Sequence, residues 1–155
     1  MTIFLTLNVF SFPQYSALNS FRGVKNKNGS GSQFLKAKET FKKTIALLKP
    51  AAEVCPWNFR GKVYLLEAEM FSFEKRNDEA RASYAAAITS SGASRFVHEQ
   101  GLANELAGLH YKKMGEADTA LHLFQRAKEC YQKWGSQMKV ESITRHMEDF
   151  ASASF

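Results

Sequence analysis

The feature that most constrains this chain is that it resembles itself when shifted by 40 residues. Ala68 then falls on Gly108, Phe71 on Tyr111, Asp78 on Asp118, Ala80 on Ala120, Tyr84 on Phe124 and Ala87 on Ala127. Within each unit a small residue precedes an aromatic by three positions, and an alanine follows the small residue after twelve. A second aromatic and a second alanine come four and seven positions later. Such spacing has a packing logic: small residues let two helix backbones approach closely, and aromatics fill the wedge that remains. A fixed period built from helix pairs points to a repeat architecture, in which each unit buries its apolar face only against its neighbours.

The apolar spacing supports helices from Gln33 onward, and no strand-like alternation competes with it. A first helix is expected over 33–49, with Phe34, Phe41, Ile45 and Leu48 on one face and Pro50 as its stop. The turn Cys55-Pro56-Trp57-Asn58 leads into a second helix over about 58–75. Asn77 and Asp78 offer a break and a cap before a third helix ending near Ser91-Gly92, and Ser94 offers a cap for a fourth reaching Met114. Gly115 and Gly135 supply left-handed termini around a fifth helix over 117–134, and a sixth spans about 136–150. The expected fold class is all-α, about six helices, with residues 1–32 a disordered or non-native head and linker, 33–150 the folded domain and 151–155 a disordered tail.

The skeleton small-x2-aromatic followed by Ala-x3-aromatic-x2-Ala resembles a tetratricopeptide repeat, whose usual period is about 34 residues. The resemblance implies an antiparallel helix-pair solenoid of two full repeats plus flanking helices. The 40-residue spacing implies longer helices or longer connections, and helix 33–49 fits as the second helix of an earlier unit through Ala37 and Phe41. Longer motifs narrow the likeness. The stretch from Cys55 to Glu69 (CPWNFRGKVYLLEAE), that from Phe96 to Ala107 (FVHEQGLANELA) and that from Ala127 to Val140 (AKECYQKWGSQMKV) resemble the helical repeat region of large signalling proteins. Those proteins join a serine/threonine-kinase-like domain, an AAA-type NTPase, a GAF domain and often a histidine kinase. The likeness covers about residues 33–145 and implies a regulatory or interaction module, free-standing or part of a longer chain, with none of the family's enzymology.

Charge and motif content argue against other classes. The formal charge is +6, but five of the 21 basic residues (Arg22, Lys25, Lys27, Lys36, Lys38) precede the first acid, leaving 16 basic residues against 15 acidic ones from Glu39 onward. Five cations in a Gly/Ser-rich context read as a solvated tail, so neither a nucleic-acid nor a membrane partner is expected. The alternative reading is a small helical enzyme, or a nucleic-acid binder using that basic segment. The apolar start, residues 1–12, is too short to span a bilayer and has no preceding cation, while the acid-free stretch after it is mildly like an organellar leader. Two cysteines 75 positions apart form neither a disulfide framework nor a zinc module, which suits a reduced, cytoplasmic setting. No P-loop, kinase catalytic loop or nucleophile elbow is present, and Gly61-Lys62 lacks both the earlier glycine and the hydroxyl residue of a phosphate loop. His98, Glu99, Glu105 and His110 share one helix, but the two histidines stand twelve apart without a partner pair at ligand spacing. No catalytic residue, metal or cofactor is therefore expected. Trp57, Phe96, Tyr131 and Trp134 read as core aromatics rather than a base-stacking platform.

The remaining candidate is a surface. In a stack of helix pairs the first helices line a concave face, and this register puts Lys62, Leu65, Glu69 and Ser72 of one unit and Leu102, Glu105, Leu109 and Lys112 of the next along it, with Lys113 at the edge. A mixed-charge groove with apolar floor positions suits a protein or peptide partner, or a neighbouring domain of a longer chain.

Overall fold

The computed structural model describes Gly23 and residues 31–153. The head and linker expectations lie outside the described residues, as does the side chain of Phe34. The described chain is all-helical with no strand. Its six helices are α1 (Gly31–Val54), α2 (Pro56–Phe73), α3 (Asn77–Ala93), α4 (Val97–Lys113), α5 (Ala117–Trp134) and α6 (Gln137–Ala153).

Several boundaries differ from expectation for local physical reasons. Pro50 does not stop α1, which continues to Val54. A proline removes one backbone donor, and the carbonyl it deprives belongs to Ala46 on the exposed side, where water can satisfy it. The break comes instead at Cys55, extended at φ −135°, where the following Pro56 disfavours helix and itself takes the first position of α2. Nor do Asn77 and Ser94 cap the helices after them. The N-cap positions belong to Arg76, Phe96 and Glu116, and none of these makes a side-chain capping bond.

The joints are defined instead by backbone bonds at the C-terminus of the preceding helix, repeated four times. Lys75, Arg95, Gly115 and Gly135 all have positive φ, between 59° and 81°. Behind each, the next residue's N–H reaches the carbonyl five back: Arg76 to Phe71, Phe96 to Ser91, Glu116 to Tyr111 and Ser136 to Tyr131, all at 2.9–3.0 Å. The left-handed residue's own N–H reaches the carbonyl three back at 3.1–3.4 Å, completing the Schellman arrangement. The N-cap carbonyls of residues 76, 96, 116 and 136 then accept the first bond of the next helix. One helix plus one joint therefore takes 20 residues, and the 40-residue sequence period is two such steps.

Within each step pair the helices run antiparallel and interlock at matching positions. A Cβ on Gly61 would stand 2.8 Å from the Oγ of Ser91, and one on Gly101 would stand 2.9 Å from the Tyr131 ring. One on Gly108 would lie 2.7 Å from the Phe124 ring. These contacts join α2 to α3 and α4 to α5 at positions 40 apart. Ala80, Ala87, Ala120 and Ala127 are all fully buried at the crossings. Phe41, Leu66, Tyr84, Ala103 and Leu106 belong to one core joining α1 to α4, and Phe124, Tyr131 and Ile143 to a second over α5 and α6. Leu109 packs against both.

Candidate functional site

Alternate helices α2, α4 and α6 lie side by side, and the polar groups that tie them together define the candidate site. At its start, the Lys62 Nζ sits 2.7 Å from the Glu99 Oε1, with both side chains about nine-tenths buried. Lys62 also donates to the Asn58 carbonyl at 2.5 Å and lies 5.0 Å above the Phe96 ring. One turn from the other end, the Ser72 hydroxyl and the His110 Nδ1 are 2.9 Å apart, and both residues are buried. Early residues thus meet early ones and late meet late, so α2 and α4 are parallel.

The same stitching joins α4 to α6. The Lys139 Nζ lies 2.9 Å from the Glu105 Oε2 and 3.2 Å from its Oε1. The Tyr131 hydroxyl donates to the same buried carboxylate from α5. Lys112 and Asp149 close the far end at 2.8 Å, and the lysine beside it holds the Asp149 carboxyl below its usual range. A buried carboxylate without such donors would carry a desolvation penalty of several kcal/mol. Each seam charge is thus tolerated because a neighbouring helix supplies its counterpart.

The eight expected surface residues divide into two kinds. Leu65, Glu69, Ser72 and Glu105 are buried and engaged within the chain, Glu69 accepting from the Tyr84 hydroxyl at 2.5 Å. Leu102, Leu109 and Lys112 keep part of their surface and mark the open part of the seam, whereas Lys62 keeps only about a tenth of its side-chain surface. Sequence reasoning missed Glu99, His110, Lys139 and Asp149 as the groups that complete these bridges. Their signal was the offset of 34–38 residues to their partners, which is not the 40-residue period because the bridges lean from one helix to the next.

His98 lies beside the first bridge, its ring 5.3 Å from that of Trp134 and its Nε2 3.8 Å from Glu99. Burial lowers its pKa from the usual value, Glu99 acts in the opposite sense and Lys62 in the same sense. The ring is therefore neutral at pH 7. Cys130 is buried, with its thiol pushed up by the same desolvation, which leaves it a poor nucleophile. Among the described residues no group of three or more His, Cys, Asp or Glu is placed to hold a metal ion. The Ser72–His110 pair has the atoms of a nucleophile and base, but burial of both leaves no room for a substrate. The arrangement holds three helices in register and leaves Leu102, Leu109 and Lys112 partly open along one edge.

No family model, no curated protein and no solved structure matches this chain. No helix among the described residues is long and apolar enough to cross a membrane.

Proposed function

We propose that this chain is a non-catalytic interaction or regulatory module of the tetratricopeptide type, built as a short solenoid of helix pairs. In this reading it stands alone or forms one segment of a multidomain signalling ATPase or kinase. The observation that carries it is the recurrence, 40 residues apart, of the Gly61–Ser91 and Gly101–Tyr131 interlocks between successive helices. A unit of that kind places its first helices, α2, α4 and α6, along one face, where a partner segment meets Lys62, Leu102, Leu109 and Lys112. An extended peptide or a helix suits that face, because apolar positions alternate there with charges already held in place by Glu99 and Asp149.

A photo-crosslinking side chain placed at Leu102 or Lys112 in the source cells tests this reading. The expected outcome is one discrete adduct from those positions and none from Arg126, an exposed residue of α5. Equal labelling from all three positions, or none from any, overturns it. An immunoblot with an antibody raised against residues 58–150 separates the two forms of the proposal. A band near 17.5 kDa means a free-standing adaptor, and a far larger one means a segment of a signalling protein.

A further inference from the structure

The two ends of the helical array are finished differently. On α6, the terminal helix, Glu141, Arg145, Glu148 and Asp149 face solvent, and Met138 is the large apolar side chain left exposed. At the opposite end, where α1 passes into α2, Leu47 is 76%, Val54 84% and Trp57 64% exposed. Leu47, Pro50 and Val54 recur at i, i+3 and i+7 and so share one face of α1, with Trp57 just beyond the Cys55 break. Beside them an open cleft of about 690 Å³ runs between the two helices, lined by the buried Ala52 and Val63 and by Pro50 and Tyr64, with Glu53 and Arg60 also on its walls. The Lys49–Glu67 ion pair, at 2.8 Å, sits on its rim. Nearer its start, the outer surface of α1 carries Lys36, Glu39, Lys42 and Lys43 with Leu35 exposed by itself among them, so the exposed apolar side chains of this end cluster at the α1–α2 corner.

We propose that residues 1–12 of this chain (MTIFLTLNVFSF) dock on the corner formed by Leu47, Pro50, Val54 and Trp57 and enter the adjoining cleft. Three observations single out this occupant. The segment has no charged side chain, and Ile3, Phe4, Leu5, Leu7, Val9, Phe10 and Phe12 give it an apolar surface of the kind the corner presents. It is tethered to the right end of the molecule, since the chain outside the described helices joins α1 at Gly31. It can also reach. The 18 residues between Phe12 and Gly31 span up to about 60 Å when extended, while the 24 residues of α1 measure about 36 Å. A tether of that length gives an effective concentration on the order of millimolar, so a weak apolar contact suffices for docking. This inference does not depend on what binds the seam of α2, α4 and α6.

Trp57 supplies the readout. In a Trp134→Phe background Trp57 is the sole tryptophan, and acrylamide quenching of its fluorescence is compared between the full chain and a variant carrying Phe4→Ser, Leu5→Ser, Leu7→Ser and Phe10→Ser. Docking predicts quenching two- to threefold stronger in the variant, with protection in the parent unchanged on dilution. Equal quenching overturns the proposal, and protection that disappears on dilution overturns it in favour of contact between copies. A second variant, Val54→Asp, changes an exposed side chain and leaves the head intact. It should speed chymotryptic cleavage at Phe4, Leu7 and Phe10 severalfold, and an unchanged cleavage rate refutes docking independently of how the first variant folds.

Discussion

The two joints that flank α3 and the two that flank α5 have the same backbone and different residues. Lys75 and Arg95 occupy the left-handed position between α2 and α3 and between α3 and α4, at φ 60° and 59°. Gly115 and Gly135 occupy it in the two later joints, at 80° and 81°. A side chain in that conformation is disfavoured by about 1–2 kcal/mol, yet all four joints keep both Schellman bonds. The interlocks differ in the same way: Ser91 faces Gly61 in the first pair, whereas Tyr131 faces Gly101 in the second. The comparison teaches that the 20-residue step is held by hydrogen bonds and close helix approach, and that several side chains satisfy each position.

The largest expected effect tests whether both pairs depend on close approach. Ala80→Trp and Ala120→Trp each insert an indole where the alanine is fully buried, and each should cost more than about 3 kcal/mol or abolish folding. A cooperative thermal transition near the parent Tm in both variants would refute the crossing geometry. Next, Glu105→Ala removes the carboxylate shared by Tyr131 and Lys139. A loss of about 2–3 kcal/mol in urea unfolding is expected, because two buried or half-buried donors lose their acceptor.

Single glycines sharpen the comparison further. Gly108→Ala drives a methyl against the Phe124 ring, which is fully buried and cannot swing away. It should cost about 1–2 kcal/mol even after the gain in helix propensity. Gly61→Ala meets mainly the Ser91 hydroxyl, whose rotamer can change, so its net effect should stay within about 0.5 kcal/mol. If the two substitutions cost the same, the interlocks are not distinguished by the stiffness of what faces the glycine.

At the joints, Lys75→Gly and Arg95→Gly should each stabilise by about 0.5–1 kcal/mol, and Gly115→Lys should destabilise by about 1 kcal/mol. Chemical denaturation of the three variants measures both signs at once. The smallest effect is pH dependence. His98 stands where the first unit has Asn58, and its folded pKa lies below the unfolded value near 6.5. The unfolded chain then binds more protons in the window below 6.5, so stability falls as pH drops through 6.5 toward the folded pKa and levels off beneath it. His98→Gln should remove that slope, as read by melts between pH 7.5 and 5.5.

Much of the helix array was legible in the sequence, and the exceptions are instructive. The fifth helix ended at Gly135 as its spacing implied, because glycine in the left-handed conformation advertises itself. Lys75 and Arg95 do the same geometric work without any such signal, so Asn77 and Ser94 drew the caps to the wrong places. For the site, Glu69 and Glu105 looked like groove carboxylates because their helix positions were right. Their burial depends on Tyr84, Tyr131 and Lys139, which arrive from other helices.

The sequence alone determined the helical class, the 40-residue period and the small-against-large crossings, since each follows from residue size and spacing along one chain. Tertiary structure alone decided that the period is two equal steps, that charges bridge α2 to α4 and α4 to α6, and that the α1–α2 corner keeps its apolar residues exposed. Those outcomes depend on which groups meet across helices 15 to 40 residues apart, and such meetings are set by helix tilt and offset rather than by local pattern.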